Sequence, residues 1–499
     1  MKASDDLFRL VKSLQPTEKR YFKLFSSLHK GDKNYIKLFD AIDKQKIYDE
    51  EKIKKIHSKS PFIKHLPWEK NNLYKLILKS LRTYHSGKSV DSELMDLIRD
   101  AEILLKKSLN DQSKKLLVKA RKISSAYEQN FLVPLITRLE FRMHDPRTLQ
   151  QSLEEDGYIF ENLKNTNEYK KILINLVVIS VKKNQARDTK DITVLNKIMR
   201  SPLLTNEDKA LTFESKLYMY QAYMLFFELQ LKPHKAYAYR KKTVALLEDN
   251  PLQTELFPLG YLIALNNLCI GQIQLKKFKE IPQSLQKIKD LSGKLIPEEM
   301  RIKIFIYSSQ IESDLYIHTG EFKKGAGLIK GIESGLEEFS GKIQVQFLTV
   351  LYFNIAYLYF GIEEYGKCIK WLNKLFSETA ATREDIQSAG RIFYLIAHFE
   401  SDNNYPLEPI IKSTYRYLYK KKRLYRFETI ALNYIKKLSK VNRKNVSVIF
   451  KELERELMIL DRSPFEREVI RSYFDFISWL ESKIEKKNFA EIVKEKIKS

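Results

Sequence analysis

The sequence predicts an all-α protein, an α–α superhelix of helical hairpins fronted by a small helical domain. Three observations carry that expectation. Apolar residues recur at three- and four-residue spacing through most of the chain, the period of a helix that buries one face. Only 15 glycines and 14 prolines punctuate 499 residues, too few for the turn density of an all-β fold. The aromatic residues Phe278, Phe322 and Tyr365 stand 44 and 43 residues apart at equivalent places in three similar segments. Recurrence at such a period marks stacked repeats, and a chain this long exceeds one ordinary core.

From the start, Leu7, Leu10, Val11 and Leu14 fall on one helical face, and Pro16 restarts the chain in a first turn. Tyr21, Phe22, Leu24, Phe25 and Leu28 form the next stripe, closed by Gly31, and Tyr35, Leu38, Phe39 and Ile42 the third. A basic helix around Lys52 to His57 leads to a turn-rich link at Ser60-Pro61 and Pro67-Trp68. A helix with Leu73, Leu76, Ile77, Leu78 and Leu81 inward then breaks at Ser86-Gly87. Residues 1–88 therefore read as a compact basic domain. A DNA-reading helix-turn-helix would need a tight turn where Pro61 and Pro67 lie, so a cap or interaction domain fits better.

Residues 91–440 read as repeated helices. Leu94, Leu97, Ile98, Ala101 and Leu104-Leu105 pair with Leu116, Leu117, Ala120 and Ile123, and a helix from Asn130 to Met143 ends at Asp145-Pro146. Residues 168–183 are apolar nearly all round, the pattern of a helix packed on several sides. Thr205-x-x-Asp208 resembles a capping box opening the helix through Tyr218, Ala222 and Leu225, with a partner from Pro233 to Leu247 closed by Asn250-Pro251. Later, Thr382-x-x-Asp385 opens another helix, its mate begins near Pro406 to Pro409, and residues 426–440 are amphipathic. Residues 441–499 close the chain. There Ser463-Pro464-x-Glu466 reads as a capping box for a helix burying Val469, Ile470, Tyr473, Phe474, Ile477, Leu480 and Ile484, and Phe489 to Ile497 as a polar end cap.

The clearest repeat is 349–376. Tyr352 is followed by the large-small pair Ile355-Ala356, by Tyr359, by a turn at Gly361 to Glu364, and by Tyr365, Cys368 and Leu372. Two antiparallel helices approach closely only where a side chain is small, and Ala356 and Cys368 supply those gaps. The same spacings recur at Ser309, Glu312-Ser313, Tyr316, Phe322, Gly325 and Ile329, and again at Leu265, Leu268-Cys269, Gln272, Phe278, Ile281 and Leu285. This pattern resembles the tetratricopeptide repeat over residues 262–376, with a longer period, Tyr352 for the usual tryptophan and no closing proline. The resemblance implies a peptide groove lined by the first helix of each pair. By position it points to Ile263, Asn266, Asn267 and Ile270, then Tyr307, Gln310 and Asp314, then Val350, Phe353, Asn354 and Tyr357. An amide there can both donate to and accept from a peptide backbone. The Lys-and-Asn carboxylate clamp of some members is absent as a pattern.

The net charge of +25 is concentrated in two places. Residues 1–90 hold 21 Lys/Arg against 10 Asp/Glu, and residues 409–451 hold 13 against the single Glu428. On a helix, Lys412, Arg416, Lys420 and Arg423 share one face, thickened by Lys421 and Lys422, with Ile411, Tyr415 and Leu418 inward and Tyr417, Tyr419 and Tyr425 among the charges. Such a ridge suits phosphates or an acidic protein; its alternative is a solvated helix face.

Gly325-Ala-Gly327 is no phosphate loop, because no strand precedes it and Lys330 replaces the required glycine. Gly327, Gly331 and Gly335 read instead as a close-packing face. Eight scattered histidines form no metal motif, and no catalytic motif or cofactor fingerprint stands out. Cys269 and Cys368 occupy small-residue repeat positions, so packing thiols are expected and a disulfide framework is not. The N-terminus lacks a signal-peptide core, and Ile172 to Val181 is too short to span a bilayer. The expectation is a cytoplasmic protein, its Lys-, Ile-, Asn- and Tyr-rich usage bacterial in character. Its expected function is a non-catalytic protein- or peptide-binding scaffold. The alternative is a nucleic-acid-associated regulator acting through the N-terminal domain or the 412–423 ridge.

Overall fold

A computed structural model describes residues 5–27, 34–58, 60–87, 89–143, 146–183, 189–293, 296–378, 383–401, 407–439, 446–463, 466–467, 470 and 473–498. Among these residues the protein is all-helical, with 25 α-helices, short 3-10 turns and no strand. The chain forms two compact units, Met1–Leu163 and Lys164–Ser499.

The first unit contains α1 (Asp6–Ser13), α2 (Pro16–Ser27), α3 (Asn34–Asp43), α4 (Glu50–Ile56), α5 (Leu66–His85), α6 (Val90–Lys106), α7 (Asn110–Ala126) and α8 (Val133–Phe141). Val11, Phe22, Leu38, Phe39, Ile42, Leu73 and Ile77 bury together, so α1 to α5 share one core. A second core under α6 to α8 collects Leu94, Ala101, Leu117, Ala120 and Ile136. Pro67 sits in the first turn of α5, where its missing N–H costs nothing, so only a 3-10 turn at Pro61–His65 separates α4 from α5. Leu24 is exposed rather than inward.

Helix α9 (Pro146–Lys183) starts at the proline expected only to end its predecessor. Its apolar run is not enclosed: Tyr169, Ile172 and Leu176 are buried, while Ile174, Val177 and Val178 face outward. After α10 (Thr189–Met199), α11 (Phe213–Leu229) is capped by Thr212, whose hydroxyl accepts from the Ser215 amide at 3.0 Å. The expected cap at Thr205 lies in a 3-10 turn eight positions before that helix. Thr212, three residues after Lys209, is the true signal, because the apolar run resumes only there.

Hairpins then follow in register: α11 with α12 (Pro233–Asp249), and, after the short α13 (Pro251–Leu256), α14 (Pro258–Gln274) with α15 (Ile281–Asp290). Next come α16 (Glu298–His318) with α17 (Phe322–Glu338), α18 (Val345–Gly361) with α19 (Tyr365–Ser377), and α20 (Glu384–Glu400) with α21 (Leu407–Lys420). From α14 onward each first helix also packs against the next first helix, whereas second helices pack mainly on their own partner and the following first helix. That asymmetry makes the first helices an inner layer. The unit closes with α22 (Arg426–Leu438), α23 (Val446–Leu460), α24 (Phe476–Glu485) and α25 (Phe489–Lys498).

The gaps predicted for the central hairpin hold: Ala356 and Cys368 are fully buried, and Tyr352 packs on Trp371 with ring centres 5.5 Å apart. The glycine face of α17 differs from expectation. Gly327 and Gly331 have open space where a Cβ would stand, while Gly335 lies against the Phe305 ring and Gly325 against Leu358. Residues Gly31, Asp145, Thr382, Pro406, Pro464 and Val469, to which sequence patterns assign roles, lie outside the described residues. Tyr473 and Phe474 precede α24, which begins at Phe476 with Asp475 as its cap. Gly335→Ala is expected to destabilise the second unit by about 1–3 kcal/mol through overpacking. Gly331→Ala should instead stabilise it by about 0.5–1 kcal/mol by removing a helix-interior glycine. Urea midpoints of the two variants should therefore move in opposite directions.

Candidate functional site

The inner layer presents the positions that repeat spacing assigns to a groove, and it presents them unequally. On α14, Ile263 and Ile270 are exposed, Asn267 is half-buried and Asn266 is buried. On α16, Gln310 and Asp314 are half-buried and Tyr307 is buried. On α18, Phe353 and Tyr357 are only 4% and 5% exposed, and Asn354 is also buried. The expectation of open groove surface at Phe353 and Tyr357 therefore gives way to a covered one.

What covers them is the chain's own C-terminal segment. Phe474 stacks on Phe393 with centres 4.6 Å apart, and Phe489 on Phe474 at 5.7 Å. Tyr357 contacts both, at 5.1 Å and 6.3 Å. Its hydroxyl accepts from the Asp475 amide at 3.0 Å, and burial holds the phenol far above its ordinary pKa. Further along, Trp479 Nε1 donates to Glu400 at 2.7 Å and Lys483 Nζ to the other Glu400 oxygen at 2.5 Å. Helix α25 lies so close to the α16–α17 turn that a Cβ on Gly320 would meet Ala490 O at 2.9 Å; Gly320 itself has φ +68°. The expected end cap thus lies on the inner layer.

The open part begins beside this segment. Asn354 Nδ2 donates to Asp314 Oδ1 at 2.7 Å, tying α18 to α16 and joining two of the predicted positions. Burial among the inner helices lifts the Asp314 carboxyl to about 7, against the lowering pull of that hydrogen bond. One turn on, His318 keeps an exposed edge yet is crowded by protein; desolvation, with Lys276 adding to it, lowers its pKa against the opposing pull of Asp475. Its ring stacks on Phe278 at 6.4 Å. No hydrogen bond joins Asn266 or Asn267 to Gln310 among the described residues, so the amides form no continuous ladder.

The basic ridge is likewise divided. Helix α21 stops at Lys420, Lys422 adopts φ 54°, and Arg423 leaves the shared face assigned to it. Lys421 Nζ bonds Glu384 at 2.7 Å and Arg423 lies 3.7 Å from the same carboxylate. Lys412, Arg416, Lys420 and Lys422 remain exposed; among the described residues Lys412 pairs with Glu408 at 3.1 Å and the other three form no ion pair. Tyr415, expected inward, is exposed; Ile411, Thr414 and Leu418 fill the inward face. Sequence spacing misplaces Tyr415 because 415 lies between the inward and outward faces of a helix.

Both cysteines are buried free thiols, with burial pushing Cys269 up to about 12 and Cys368 well above its ordinary value. No cluster of three His, Cys, Asp or Glu side chains with metal-holding geometry occurs among the described residues. No described helix is long and apolar enough to cross a membrane. No protein-family model matches the chain, and no curated protein is found to be related to it.

Asp314 yields a pH prediction. A carboxyl whose folded pKa lies above its unfolded value near 3.9 binds its proton more tightly when folded, so its contribution to stability is lost as pH rises between the two values. Stability of Asp314→Asn relative to the parent should therefore grow from about pH 4 to about pH 7 and then level off. Urea titrations at stepped pH read this directly; a constant difference would mean that the carboxyl stays ionised.

Proposed function

We propose that the second unit is a non-catalytic scaffold of tetratricopeptide type that binds a protein segment or peptide on the open part of its inner layer. One observation carries the reading. The same layer already holds a helical segment of this chain through aromatic anchors and main-chain hydrogen bonding at Tyr357, while the packed helices α14 and α16 leave Ile263, Ile270 and His318 exposed and Asn267, Gln310 and Asp314 half-buried. Exposed branched aliphatic side chains flanked by amides and a carboxyl suit a partner helix or strand with one apolar face. The repeat spacing of 262–376 supports the family resemblance, and buried, unpaired thiols accord with a reducing bacterial cytoplasm.

The test is selection of peptides on the intact protein, followed by affinity measurement on variants. Ile263→Asp with Ile270→Asp should weaken the selected peptides by at least about tenfold, since a charge replaces buried apolar contact. Binding that ignores this pair would overturn the assignment of the open stretch. Phe353→Ala would not serve: it is expected to cost about 3–5 kcal/mol of stability by emptying a packed aromatic site, visible as a lower melting temperature.

A further inference from the structure

We propose that the outward face of α21, continued by Lys422, is a second binding platform, for single-stranded nucleic acid. It stands apart from the inner layer and does not rest on the scaffold reading. Tyr415 and Tyr419 are 48% and 69% exposed, and their rings stack with centres 6.2 Å apart and planes 12° from parallel. Both tyrosines thus leave a large part of their ring surface to water. Arg416 and Lys420 follow them by one position each, and with Lys422 they make no ion pair among the described residues. Lys412, one turn before, is tied only to exposed Glu408, a pair worth little in water.

The neighbours show what a committed residue of the same kind looks like here. Tyr417 is covered by the Arg391 guanidinium, 3.9 Å from the ring centre, while Lys421 and Arg423 are bound to Glu384. What remains uncommitted is a row of cations one helical turn apart, beside two open π faces. An acidic polypeptide would use the cations and gain little from the rings. A duplex keeps its base faces stacked internally. A single strand offers phosphates and unstacked bases together, the pairing of a basic track with aromatic platforms.

The experiment measures fluorescence anisotropy of a short labelled oligo-dT against the full chain, from about 50 to about 200 mM salt. Three or four phosphate contacts predict a log–log slope of about −2 to −3 for a single strand. Tyr415→Ala with Tyr419→Ala should weaken binding at least about fivefold with the slope retained. Arg416→Glu with Lys420→Glu should abolish the salt-dependent component. All four side chains are exposed, so circular dichroism and melting should match the parent. No binding at the lowest salt, equal binding of duplex or polyglutamate, or tyrosine variants that bind like the parent would each overturn the proposal; the last would assign affinity to basic charge elsewhere.

Discussion

The Phe322 ring occupies the space a methyl group on Gly361 would need: a Cβ built there would lie 2.0 Å from it. Helix α17 can begin beside the end of α18 only because that position is glycine, and Gly325 admits Leu358 in the same way one turn later. Close approach then brings Phe322 within reach of Tyr357 and Phe489, at 6.0 Å and 5.5 Å between ring centres. Aromatic side chains carry large buried areas, so this cluster joins the α16–α17 hairpin, the α18–α19 hairpin and the C-terminal segment. The spacing between hairpins and the occupancy of the inner layer both depend on the missing side chains at Gly361 and Gly325.

That occupancy gives the inner layer two kinds of surface. Around Phe353 and Tyr357 it is filled, and its polar atoms are satisfied internally: the Tyr357 hydroxyl by the Asp475 amide, Glu400 by Trp479 and Lys483. Buried donors and acceptors without partners cost more than paired ones return, so these bonds specify where the segment sits. Around Asp314 the carboxyl has one amide partner and a raised pKa, and His318 keeps an open edge. The filled stretch is structural in character, and the open stretch has the incompletely satisfied chemistry that a ligand can complete.

Much of this was legible in the sequence and some was not, for identifiable reasons. Helical spacing and small-residue gaps are local, so the central hairpins, Ala356, Cys368 and the inner-layer positions could be read from residues a few places apart. The cover over Phe353 and Tyr357 comes from residues more than a hundred positions later, and no periodicity reports that. Gly331 and Gly335 look alike in sequence; only the position of Phe305 separates an open glycine from a packed one. The ridge was misread at Arg423 because Lys422 takes a left-handed turn that glycine or asparagine would ordinarily announce. Thr205 and Thr212 both precede acidic residues, and the choice between them lay in where the apolar run resumes.

Charge shows most plainly why composition underdetermines function. The surplus around 409–451 is large by count, yet the fold divides it. Glu384, 37 positions before Lys421, engages Lys421 and Arg423 and so removes two cations from solution use. Arg391 and Tyr417 face each other and remove an aromatic ring. Helix geometry then sets Ile411, Thr414 and Leu418 inward, which forces Tyr415 and Tyr419 outward with Arg416 and Lys420. An outward tyrosine pair is thus the residue of two independent constraints: the burial of one face and the internal neutralisation of the next turn. Chemistry left over after both constraints are met is the chemistry available to a partner, and on α21 it consists of π faces beside unpaired cations.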